Sequence, residues 1–173
     1  MNKHRSAHQT RRQRGLALPV LFMAAAVIAF GLLIYQAARP LPGHAIVDLG
    51  NEHITYPETA TYNSTPPTSG AHYESLASWG IHSEPIPNEL QVHNLEDGGV
   101  LVQYSCPDGC PTTVAQLSRI VEAYGSYVIL APYRNMDRYI ALTAWGRMDA
   151  LDEVDETRIT KFIETYRGLD HHR

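Results

Sequence analysis

The chain has 173 residues, 44% hydrophobic and 18% charged, enough for one domain plus a short accessory segment. Its net charge of −4 hides an asymmetry: the first fourteen residues carry five basic side chains and no acid, leaving nine basic against 18 acidic residues elsewhere, about −9. That balance argues against a nucleic-acid partner, since phosphate binding requires the opposite sign.

Residues 1–14, with Lys3, Arg5, Arg11, Arg12 and Arg14, read as a basic cytoplasmic head. From Gly15 to Ala38 there is no charge, and this run of 24 residues exceeds the ~20 a bilayer core requires. "YQAARP" is a poor cleavage site, so residues 15–38 are expected to be an uncleaved transmembrane helix, with a cleaved signal peptide as the alternative. The positive-inside rule then keeps the head in the cytoplasm and puts the rest of the chain outward, in a periplasm or extracellular space. "RPLPG" (39–43) is a stiff linker, and the exported domain spans 44–173.

"HAIVDL" (44–49) and "HITY" (53–56) read as short strands joined at Gly50-Asn51. Residues 57–89 are rich in Pro, Ser, Thr and Gly and read as a long loop; such loops in compact domains are usually functional or disordered. "VLVQY" (100–104) is a buried-type strand. Thr113 and Gln116 match a capping box for a helix with Val114, Leu117, Val121 and Tyr124 on one face, ended by Gly125. "YVILAP" (127–132) and "YIALTAWG" (139–146) are further strands. Asp155 caps a last helix with Ile159, Phe162, Ile163 and Tyr166 on its apolar side and Gly168 at its end. The order predicts an α+β fold, a small mixed sheet with helices on one face.

Two loops could carry chemistry. "PPTSGAH" (66–72) puts a double proline and Gly70 before His72, a turn able to aim an imidazole. "VHNLEDGG" (92–99) holds His93, Glu96 and Asp97; on a helical turn His93 and Asp97 share a face. Imidazole with carboxylate suits Zn²⁺, Cu²⁺ or Fe²⁺. The pattern therefore points to a copper or zinc site of His72, His93 and Asp97, supported by His53 or Glu96. The competing reading makes each histidine a hydrogen-bonding pin in a non-catalytic interaction module. His171 and His172 read as solvated tail residues, and Met136 and Met148 as core filler rather than soft copper ligands.

"YSCPDGCPTT" (104–113) contains the only cysteines, Cys106 and Cys110. Outside the membrane they are expected to be oxidised, as a disulfide closing the turn; a thiol-redox or copper-binding pair is the alternative. "CPDGCP" locally resembles the C-x-x-x-C-P motif of the Sco copper chaperones, and strand, cysteine pair and helix follow the order of thioredoxin-like thiol sites. The downstream histidine that Sco proteins need is matched here only by the tail histidines, and the chain after Cys110 is short for a full thioredoxin topology. No nucleophile elbow, H-E-x-x-H or phosphate loop is present, so an enzyme would have to use a metal-bound water beside His93 and a carboxylate, or the cysteine pair.

"HITY", "PPTSGAHY", "VHNLEDGGVLVQY", "APY" and "ALTAWGRMDALDEVDETRITKFIETYRG" occur in the order of the bacterial DUF3105 family (domain of unknown function 3105), which the chain resembles from about His53 to Gly168. The resemblance implies a membrane-anchored or exported protein and no particular activity. Family members usually read H-N-L-E-H-G-G, so Asp97 stands where they carry a second histidine. His72 and His93 fit the family pattern. The Asp97 carboxylate is a harder ligand, poorly suited to Cu(I).

Overall fold

The structure is a computed structural model describing residues 21–35 and 38–172. The chain divides between Pro40 and Leu41 into two compact units. In the first, helix α1 is described over residues 21–35 and its side chains are exposed throughout. Among the described residues no helix is long and apolar enough to cross a membrane. The basic head and parts of the expected anchor, residues 15–20 and 36–37, lie outside the described residues.

The second unit contains strands β1 (His44–Ala45), β2 (His53–Ile54), β3 (His72–Tyr73) and β4 (Gly80–Ile81), then helix α2 (Asn88–Glu96) and strand β5 (Val100–Tyr104). Helix α3 (Pro111–Glu122), strands β6 (Val128–Pro132), β7 (Ile140–Ala144) and β8 (Arg147–Leu151), and helix α4 (Glu156–Tyr166) complete it. One six-stranded mixed sheet runs β1-β8-β7-β5-β6-β4; β5, β6 and β4 are parallel, and β7, β8 and β1 antiparallel to their neighbours. The α+β expectation holds. The chain after Cys110, for all its shortness, supplies three strands and two helices around β5.

The near-continuous apolar runs of β5, β6 and β7 follow from burial on both faces. Val100, Val102, Val128, Leu130, Ile140 and Leu142 meet Leu117 and Val121 of α3 and Ile159, Phe162 and Ile163 of α4. Alternate residues Leu101, Ile129 and Ala131 point the other way, against Leu95 of α2 and Ala77, Ile86 and Trp79 of the long loop. Helices on one face only is therefore corrected: α2 and the 57–87 loop cover the second face. The composition of α2 hides it, because its last six residues are all buried and include Gln91, His93, Asn94 and Glu96, leaving no polar stripe.

Other boundaries differ for local reasons. The expected 44–49/53–56 hairpin does not form; β1 pairs with β8, and β2 pairs in parallel with β3. Strand β8 escapes the sequence pattern because Arg147 and Asp149 interrupt its apolar run; buried Asp149 receives Arg158 from α4, with Nε 2.7 Å from Oδ2. Asp155 caps α4 as expected, accepting from the Arg158 backbone N–H at 3.0 Å. The α3 capping box is not made: the helix starts one turn earlier behind Cys110, and the Thr113 hydroxyl pairs with the Tyr139 hydroxyl at 2.8 Å.

Candidate metal centre

The site begins with the register of two two-residue strands. Pairing β2 with β3 sets His53 directly beside His72, and their rings lie 4.9 Å apart, edge to face. Backbone bonds fix this alignment: Gly70 N–H donates to the Gly50 carbonyl and His72 N–H to the Glu52 carbonyl, both at 2.9 Å. Ser69, behind the turn, accepts from Leu49 N–H at 3.0 Å. Helix α2 then lays His93 against both rings, at 5.1 Å from His72 and 5.4 Å from His53.

Glu96, one turn on from His93 in α2, is wholly buried. Its Oε1 accepts from Asn51 Nδ2 at 2.5 Å. Its Oε2 faces three imidazole nitrogens: His72 Nε2 at 2.9 Å, His172 Nε2 at 3.4 Å and His53 Nε2 at 3.6 Å. Asp97 Oδ1 lies 3.6 Å from His172 Nε2 and 3.7 Å from His93 Nε2.

The other nitrogen of three of these rings is already engaged. His72 Nδ1–H donates to the Gly70 carbonyl (2.8 Å), His93 Nδ1–H to the Tyr73 carbonyl (2.9 Å) and His172 Nδ1–H to Asp170 Oδ1 (2.7 Å). Such outer partners orient metal-binding imidazoles and fix which nitrogen is free to ligate. Here they turn the Nε2 atoms inward.

His72 has a proton shortage. A neutral imidazole carries one N–H, yet both of its ring nitrogens face acceptors. Burial holds its pKa below the ordinary value, overriding the neighbouring Gly70 carbonyl and Glu96, so the doubly protonated form is disfavoured. Glu96 does not supply the proton either. Burial opposes its ionisation, but the Asn51 amide hydrogen bond, with His172 at the rim, holds the carboxyl below its usual range. At the exposed rim the Asp170 hydrogen bond raises the pKa of His172, against a smaller opposing effect of burial.

Among the described residues, two groups have ligand atoms within 4.8 Å of one another: His53, His72, His93 and Glu96, and His93, Asp97 and His172. The expected trio of His72, His93 and Asp97 is thus divided, with Asp97 joining His172 and the two groups meeting at His93. Glu96 and His53, expected as supporting ligands, sit in the group with His72. His172 was missed. Its side chain is exposed, as expected for the tail, but the tail is docked: Gly168 N–H donates to the Gly98 carbonyl (2.7 Å) and His171 N–H to the Glu96 carbonyl (2.8 Å), while the His171 ring stacks on Trp145. The aspartate two residues before it was the available signal. Cys106 and Cys110 belong to neither group and are joined in a disulfide, Cα to Cα 5.8 Å. Met136 and Met148 are buried filler.

The family model for Protein of unknown function (DUF3105) matches residues 53–172. The chain belongs to the DUF3105 family. No curated protein and no solved structure matches it. The DUF3105 match begins at His53 and closes at His172, so it contains every member of both groups.

Proposed function

We propose that this DUF3105 domain binds a divalent transition-metal ion, zinc or copper(II), through His53, His72, His93 and Glu96, with His172 and Asp97 closing the exposed side. The main support is His72, a buried imidazole with an acceptor on each ring nitrogen beside an ionised carboxylate. A cation between His72 Nε2 and Glu96 Oε2 would relieve that conflict, and their 2.9 Å separation suits ligands that share one ion with bonds near ~2.1 Å. Imidazole and carboxylate donors without thiolate fit Zn²⁺ and Cu²⁺ better than Cu(I). The domain acts outside the cytoplasmic membrane, held by residues 15–38, a reading supported by their uncharged length and the basic head.

The full-length chain, stripped of metal, is titrated calorimetrically with Zn²⁺ and Cu²⁺. One ion per chain is expected, and none for the His72→Ala, His93→Ala double variant. If neither ion binds stoichiometrically to the wild type, the proposal fails. Chelator separates it from the reading of these histidines as structural pins. An ion site loses thermal stability when stripped, whereas pins lose it only when mutated.

A further inference from the structure

The cysteine pair stands apart from the histidine groups and has its own surroundings. Cys110 is the N-cap residue of α3, and Cys106 follows the end of β5 by two residues. The turn between them is closed by Gly109 N–H donating to the Cys106 carbonyl (3.1 Å), with Gly109 at φ +83°. Val114 N–H donates to the Cys110 carbonyl at 3.0 Å, and Ser105 N–H to the Tyr139 carbonyl at 3.0 Å. Backbone bonds therefore hold both cysteine positions without help from sulfur. A covalent bridge across so short a loop also removes less entropy from the unfolded chain than one across a long loop.

Its position offers more as chemistry. Both cysteines are only half-buried. Cys106 borders a cleft of about 430 Å³ together with Tyr104, Pro132, Tyr133 and Arg134. Cys110 sits where the first-turn N–H groups of a twelve-residue helix point outward; no side chain caps them and no acid lies in that turn. A thiolate is stabilised at such a position. The nearest acid in sequence, Asp108, is on the exposed turn.

We infer that Cys106–Cys110 is a thiol–disulfide exchange site that takes two electrons from a protein dithiol. A partner thiolate entering the cleft attacks Cys106 Sγ. A mixed disulfide forms, the Cys106–Cys110 bond breaks, and Cys110 leaves as a thiolate at the start of α3. The partner's second thiol, having lost its proton, attacks the partner sulfur of the mixed disulfide and expels Cys106 as a thiolate. The partner ends oxidised to a disulfide, and both cysteines end as thiols once protonated.

The test uses the full chain in chelator, which keeps it independent of metal binding. Oxidised protein is treated with dithiothreitol, as a model dithiol, without denaturant, and thiols are trapped with a maleimide. Reduction within about tenfold of the rate for the denatured chain is expected, with the cooperative melt retained afterwards. A bond that yields only on unfolding, or a domain that unfolds once reduced, would mark a structural staple and overturn the inference. A second measurement separates the two sulfurs. The oxidised chain is exposed briefly to reduced glutathione, quenched with a maleimide and mapped by fragmentation mass spectrometry; glutathione at Cys106 with maleimide at Cys110 is expected in at least about tenfold excess over the reverse. Equal or reversed amounts overturn the assignment of Cys106 as the attacked sulfur.

Discussion

His72 and Glu96 show how little of a binding site is expressed in residue type alone. A buried histidine ordinarily needs one donor and one acceptor neighbour; His72 has two acceptors. Glu96→Gln keeps the shape but removes the anionic oxygen facing three imidazoles. We expect Zn²⁺ affinity to fall by about 10–100-fold, read by competition titration, with a smaller loss for Asp170→Asn, which only releases His172. The same residues set the pH response of the metal-free protein. His72 has a folded pKa below its ordinary 6.5, so the unfolded chain takes up this proton first and stability falls as pH drops through that window. The contribution of Glu96 is present above its ordinary 4.5 and is lost as pH falls through its lower folded value. His172, raised, acts in the opposite sense, its contribution fading as pH rises, but its side chain is 45% exposed and its effect is screened. The melting temperature in chelator should therefore fall between pH 7 and 5, and less steeply in His72→Gln; a flat wild-type profile contradicts this.

Among the elements, the turn out of α2 governs the site. Gly98, at φ +85°, leads from α2 toward β5, and a Cβ there would lie 2.6 Å from the Leu169 backbone nitrogen. Gly98→Ala must displace the tail that carries His172. It should cost about 1–2 kcal/mol from the left-handed backbone alone, seen in denaturant unfolding, and weaken Zn²⁺ binding as well. Asp155→Ala removes the α4 cap and should cost about 1 kcal/mol while leaving metal affinity unchanged. Strands β5, β6 and β7 were legible as short, nearly continuous apolar runs, and helix α4 because its apolar period matches its geometry. Strands β2 and β3, two residues each, have no period to read, yet their register pairs His53 with His72. His72, His93, Glu96 and Asp97 were found because stiff or glycine-bearing loops announce them. His172 was not, because "LDHHR" looks solvated until the tail is seen lying along Gly98 and Glu96.

For the whole molecule, the acidic domain and the basic head divide the chain by charge. If residues 15–38 are an anchor, the full chain should sediment with membranes and resist alkaline carbonate, while a chain beginning at Leu41 should remain soluble; release of the full chain by carbonate would refute it. The groups around Glu96 come from β2, β3, α2 and the segment after α4, so more than a hundred residues separate His53 from His172. Before those pieces dock, the chain offers isolated imidazoles with weak individual affinity rather than a chelate. An ion would then be captured only after β2, β3 and α2 have docked. If the domain is exported and binds an ion as proposed, the unfolded chain would cross the membrane without cargo, and the ion would come from the compartment in which folding finishes.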